Sequence, residues 1–141
     1  MWSANTDSVP VVDAPPPPVV EATPVPPTTV SCLLTSQTPA DGTTYTIGSP
    51  FTTTWVLQNT GTADWEQSTT DVRFAGALNN VGLHTGADLY DLTFTVDPGQ
   101  TYSFSVPMLA PTYTGQYGEA WEIVTGDGTV ACYFYIYINV P

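Results

Sequence analysis

Positive charge is almost absent from this chain of 141 residues: Arg73 is its one basic residue, no lysine occurs, and 13 acidic residues bring the formal net charge to −12. Phosphate backbones are held by Lys and Arg, so nucleic acid is excluded as a partner. Anionic membrane surfaces attract polybasic segments, and none is present. Long apolar runs are missing too; no stretch approaches the roughly 20 residues of a membrane span, so no membrane insertion is expected. No Asn-X-Ser/Thr sequon occurs, which excludes ordinary N-glycosylation, while clustered Thr and Pro leave O-glycosylation open. The first residues, Met1-Trp2-Ser3, lead into polar sequence and not into an apolar export run, so an exported protein would be read here as a mature form or as one using another route.

Chemistry-bearing residues are equally sparse. His84 is the single histidine, with no Ser-His-Asp or Cys-His pattern around it, so it reads as a surface residue or a satisfied polar group. Zinc would need three or four Cys or His ligands, and the three candidates are widely dispersed. Glu119 and Glu122 project to opposite faces of a strand and make no acid/base pair. Asp88, Asp91, Asp97 and Asp127 are loop-proximal oxygen ligands of the kind calcium takes. They lack an Asp-x-Asp-x-Asp-Gly loop, and Gly126-Asp127-Gly128 is explained as a hairpin turn. The expectation is a protein with no enzymatic activity, no cofactor and no metal.

What the chain does have divides at about residue 30. Residues 1–29 hold most of the prolines, including Pro15 to Pro18. Proline fixes φ, removes a donor and biases its predecessor to extended conformations, so this arm is expected to be polyproline-II-like. At about 3.1 Å per residue it would reach on the order of 90 Å. Val11, Val12, Val19 and Val20 make it more apolar than a spacer requires.

From Val30 to the end, 30–141, the pattern has period two. Phe51, Thr53, Trp55 and Leu57 alternate with Thr52, Thr54, Val56 and Gln58. Tyr102, Phe104, Val106 and Met108 alternate with Ser103, Ser105 and Pro107. Val130, Cys132, Phe134, Ile136 and Ile138 share one face of a last strand whose other face carries Tyr133, Tyr135 and Tyr137. With turn signals between these runs, seven or eight strands are expected, at 30–36, 43–47, 51–58, 70–76, 89–96, 101–108, 116–124 and 129–139. Short strands at this spacing indicate an all-β sandwich or barrel.

Trp55-Val56-Leu57-Gln58-Asn59-Thr60-Gly61-Thr62-Ala63-Asp64-Trp65 is more particular. A strand Trp, then Asn-Thr-Gly-Thr, then a second Trp resembles the four-tryptophan Ig-like domain family, which takes in the central domain of the Next-to-BRCA-one type and bacterial cell-surface relatives. Asp97-Pro98-Gly99-Gln100, Ala110-Pro111, Gly115-Gln116-Tyr117, Trp121 and the closing Tyr135–Val140 strand continue the resemblance over residues 30–140. Tyr135 stands where that family has its fourth Trp, and Val130-Ala131 where it has Phe-Gly. The resemblance implies an immunoglobulin-like antiparallel β-sandwich of seven to eight strands, with Trp55, Trp65 and Trp121 in its core. It also implies terminal strands close enough for Cys32 and Cys132 to pair within the chain, the alternative being a bridge between chains.

One Cys pair in a Lys-free, Thr-rich chain points to an oxidising, extracellular or cell-surface setting. The expected role is a structural or adhesive module that assembles with copies of itself, its arm docking on Tyr133, Tyr135 and Tyr137 of a neighbour. Two alternatives remain: a carbohydrate-binding module that stacks glycans on those tyrosines, and an envelope display module.

Overall fold

The computed structural model describes residues 27–141, so most of the proline-rich arm, with Val11, Val12, Val19 and Val20, lies outside the described residues. Eight strands are present among the described residues: β1 Cys32–Thr38, β2 Thr43–Thr44, β3 Pro50–Asn59, β4 Asp71–Ala77, β5 Leu89–Asp91, β6 Thr101–Leu109, β7 Gly115–Val124 and β8 Val130–Val140. They form two sheets, one of three strands in the order β1-β3-β6 and one of five in the order β2-β8-β7-β4-β5. This is an Ig-like β-sandwich.

The alternation that marks the strands also builds the core. Trp55 and Leu57 of β3 and Phe104, Val106 and Met108 of β6 point inward from the small sheet. Val72 of β4, Trp121 and Ile123 of β7, and Phe134, Ile136 and Ile138 of β8 face them from the large one. Trp55 stacks on Phe104 at 6.0 Å and meets Phe134 edge-on at 5.0 Å, so one indole spans both sheets. Its Nε1–H donates to the Tyr135 carbonyl (3.1 Å), giving the buried N–H a partner. Trp65 is fully buried at an isolated bridge to Val96, and its Nε1 has no hydrogen-bond partner within the described protein.

Two strands are shorter than the sequence pattern predicts. The expected 43–47 strand ends at Thr44: the Tyr45 N–H still donates to the Asn139 carbonyl of β8 (2.9 Å), but the chain then turns, with the Thr46 carbonyl accepting from the Ser49 N–H (3.1 Å) and hydroxyl (2.7 Å). The expected 89–96 strand ends at Asp91. Beyond it Leu92 turns into the core, and the Thr93 N–H donates to the Tyr102 hydroxyl instead of to a strand.

Cys32 and Cys132 form an intramolecular disulfide, with Cα atoms 5.5 Å apart. The terminal strands are not neighbours in one sheet, however. β1 borders the small sheet and β8 belongs to the large one, so the bridge ties the two layers together. The Asn59-Thr60-Gly61 turn is held from within: Asn59 Nδ2 donates to the Ala63 and Val96 carbonyls, and Asn59 Oδ1 accepts from the Gly61 N–H. The Thr29 carbonyl accepts from the Thr62 and Ala63 N–H groups, which anchors the arm's last residues to this turn.

Candidate functional site

The outer face of the large sheet carries the tyrosines. In the β7–β8 register Glu122 stands opposite Tyr133, Ala120 opposite Tyr135, and Gly118 opposite Tyr137. Tyr133 and Tyr135 are 65% and 57% exposed, while Tyr137 is half-buried. On the far side of β7, the ladder to β4 shifts register between Phe74 and Gly76. That bulge brings Ala75, Gly76 and Ala77 beside Gly118 and Ala120.

Five small residues thus make a floor, exposed Leu78 forms one wall, and Tyr135 and Tyr137 form the other. The resulting trough has a volume of ≈ 440 Å³. Gly118 is required there, since a Cβ would come within 2.9 Å of the Ile136 carbonyl oxygen. Beyond the open end, Arg73 pairs with the buried Glu122 carboxylate at 2.6 Å, in the same row as Tyr133.

Beneath the trough lies a polar cluster that sequence reasoning missed. Glu119 occupies the core-facing register of β7 with Trp121 and Ile123, and its carboxylate is buried. It accepts from the Leu83 N–H, the His84 N–H (2.9 Å), Trp121 Nε1–H (2.7 Å) and His84 Nδ1–H (2.9 Å to Oε2). The other ring nitrogen, Nε2, meets the exposed Asp88 carboxylate at 2.5 Å. Both ring nitrogens face acceptors only, which the imidazolium form satisfies with two N–H donors.

His84 packs against Phe74 and Trp121, and its side chain is 9% exposed. Burial pushes its pKa down, but the hydrogen bonds and charges of Asp88 and Glu119 outweigh burial and leave it above the ordinary value of 6.5. Among the described residues His84 bonds to carboxylates and not to a hydroxyl or thiol, so it is a clamp between the 83–88 loop and β7.

Of the four acidic residues considered for calcium, Asp88, Asp91 and Asp127 have side chains engaged by neighbouring groups, and Asp97 contributes its backbone to a turn. Asp88 holds His84. Asp91 lies opposite Asp71, whose carboxyl is raised by burial and then by the hydrogen bond and charge of Asp91. The Asp97 N–H donates to Gln100 in a turn. Asp127 accepts from Thr125 and Thr129 within the β7–β8 turn, and these bonds lower its pKa. Among the described residues no group of three or more His, Cys, Asp or Glu side chains is arranged to hold a metal ion.

A match to a protein-family model agrees with the sandwich. The family model of the Ig-like domain from next to BRCA1 gene matches residues 38–140. Protein ILRUN of Danio rerio is 31% identical over 80 residues, 57% of this chain but 26% of that protein, so the chain spans about a quarter of this curated relative. Among solved structures, the solution structure of a CARDB domain from Pyrococcus furiosus aligns with 81% of this chain and 95% of its own, at 15% identity and a TM-score of 0.44. With the family model covering residues 38–140 of 141, this chain belongs to the family of Ig-like domains from next to BRCA1 gene.

Proposed function

We propose that this protein is a non-catalytic interaction module that self-assembles outside the cell, the proline-rich arm of one copy lying in the trough of the next. The observation that carries this reading is the trough itself. It is a small-residue channel walled by Leu78, Tyr135 and Tyr137, on the surface of a chain of net charge −12. A polyproline-II segment keeps its backbone polar groups free for a partner and loses little entropy on docking, and aromatic grooves commonly receive such segments.

The arm has the matching side chains in Val11, Val12, Val19 and Val20, and it starts from the right place. Thr28 and Val30 line a surface hollow together with Thr125, Gly126, Asp127 and Thr129, so the arm joins the domain beside the turn from which β8 departs. Tyr135 lies six residues beyond Thr129, roughly 20 Å along an extended strand. An arm of this length spans that distance several times over, which allows docking on a neighbour. A head-to-tail contact of this kind extends into an open filament where its rotation does not close. The disulfide fits an oxidising compartment and with it a cell-surface setting.

The test is sedimentation velocity and electron microscopy of the full chain beside a variant with Val11, Val12, Val19 and Val20 changed to Ser. Concentration-dependent polymers that disappear in the variant support the reading; a polymer state identical in both refutes it. Exposed Tyr133 and Tyr135, two residues apart on one sheet face, also suit stacking on a sugar. A monomer that binds a glycan and loses it with Tyr135→Ser would favour that alternative.

A further inference from the structure

The small sheet differs from the rest of the surface in charge. β1, β3 and β6 contain no Asp, Glu, Lys, Arg or His, and every acidic residue of the described region lies in a loop or in the large sheet. β1 borders this sheet: it pairs with β3 and, among the described residues, with no strand on its other side. Edge strands are ordinarily guarded by charged residues or proline. Between Cys32 and Thr38 β1 has neither, and Leu33 and Leu34 are 55% and 40% exposed. Its one irregularity is the register shift between Leu34 and Ser36, where Thr35 Oγ1 donates to the Val56 carbonyl. Leu33 and Leu34 themselves stay in regular pairing with Gln58 and Leu57.

We propose that β1 of one copy pairs antiparallel with β1 of a second copy, joining two three-stranded sheets into one of six strands and burying Leu33 and Leu34 of both. Charge selects the occupant. Two copies of net charge −12 repel wherever their carboxylates approach, and the uncharged sheet is where they meet without opposing charges. A basic partner would be drawn instead to the acidic loops and the large sheet. Pairing a strand with itself about a two-fold axis makes an isologous contact that closes at the dimer. The unpaired N–H and C=O groups of the edge then acquire partners. This inference stands apart from the arm contact.

The experiment uses the full chain carrying Tyr135→Ser, so that the proposed arm contact does not contribute. Sedimentation equilibrium is expected to give twice the chain mass of 15.1 kDa. Added salt should tighten the dimer by screening the repulsion. Leu33→Asp with Leu34→Asp should raise the dissociation constant by at least about 100-fold while the circular dichroism spectrum is retained. Hydrogen exchange needs no further substitution: the β1 amides should exchange more slowly above the dissociation constant than below it. That measurement decides the matter if the double variant fails to fold. A monomer at every concentration, β1 exchange independent of concentration, or a dimer indifferent to Leu33 and Leu34 would overturn the proposal.

Discussion

Glu119→Ala is the substitution expected to cost this fold most for its size. The carboxylate accepts from two backbone N–H groups, from Trp121 Nε1–H and from His84 Nδ1–H, and it is buried. Each stranded buried donor costs about 1–3 kcal/mol before relaxation. His84 has a second carboxylate in Asp88, and its loop can shift toward water, so the four do not add in full. Breaking a buried charge pair by removing one partner typically costs about 3–5 kcal/mol, and that is the expected loss.

The same cluster sets a pH dependence with a definite sign. The folded pKa of His84 lies above its ordinary 6.5, so its stabilising contribution is complete below pH 6.5 and is lost as pH rises through the folded value. With no lysine, one histidine and both cysteines bonded, the α-amino group is the other group ordinarily titrating between pH 6.5 and 9. Urea titrations at pH 6 and pH 9 should therefore show wild type less stable at the higher pH, and Glu119→Ala with that difference much reduced. A loss under 1 kcal/mol in the variant, or a wild-type stability that rises with pH across this window, would refute the clamp.

Reducing the disulfide opens a loop of 100 residues and should lower stability by nearly 5 kcal/mol in the chain-entropy model, read as a shift in the denaturant midpoint. Trp55→Phe gives up the hydrogen bond to the Tyr135 carbonyl, whereas Trp65→Phe removes an N–H that has no partner among the described residues. The Trp55 change should therefore cost about 1 kcal/mol more by thermal melt, and equal losses would contradict the assignment. Gly61→Ala drives a Cβ into the Thr29 carbonyl, so the arm's anchor should detach and the Thr62 and Ala63 amides should lose exchange protection.

Regular alternation made most of the sandwich legible. Phe51–Gln58, Tyr102–Met108 and 129–139 were readable as strands because one face of each is buried, and burial enforces period two. The run at 43–47 is cut short by a local turn from Thr46 to Ser49, and the run at 89–96 by a distant side chain, Tyr102, that spacing along the chain does not reveal. Glu119 did leave a signal, since it shares the inward register of Tyr117, Trp121 and Ile123; its partner His84, 35 residues earlier, left none. The tyrosine face was visible in the last strand alone. The trough was not, because its floor depends on a bulge at Ala75 and on how β4 sits against β7.

Hydroxyl-radical footprinting of the full chain at assembling concentration tests the arm-in-trough claim most directly. Tyr113, 78% exposed, serves as the unprotected internal standard. Tyr135 should be protected relative to Tyr113 in wild type, and that protection should vanish when Val11, Val12, Val19 and Val20 are changed to Ser. Tyr135 as reactive as Tyr113 in the assembled protein, or protection untouched by the valine changes, would contradict the account.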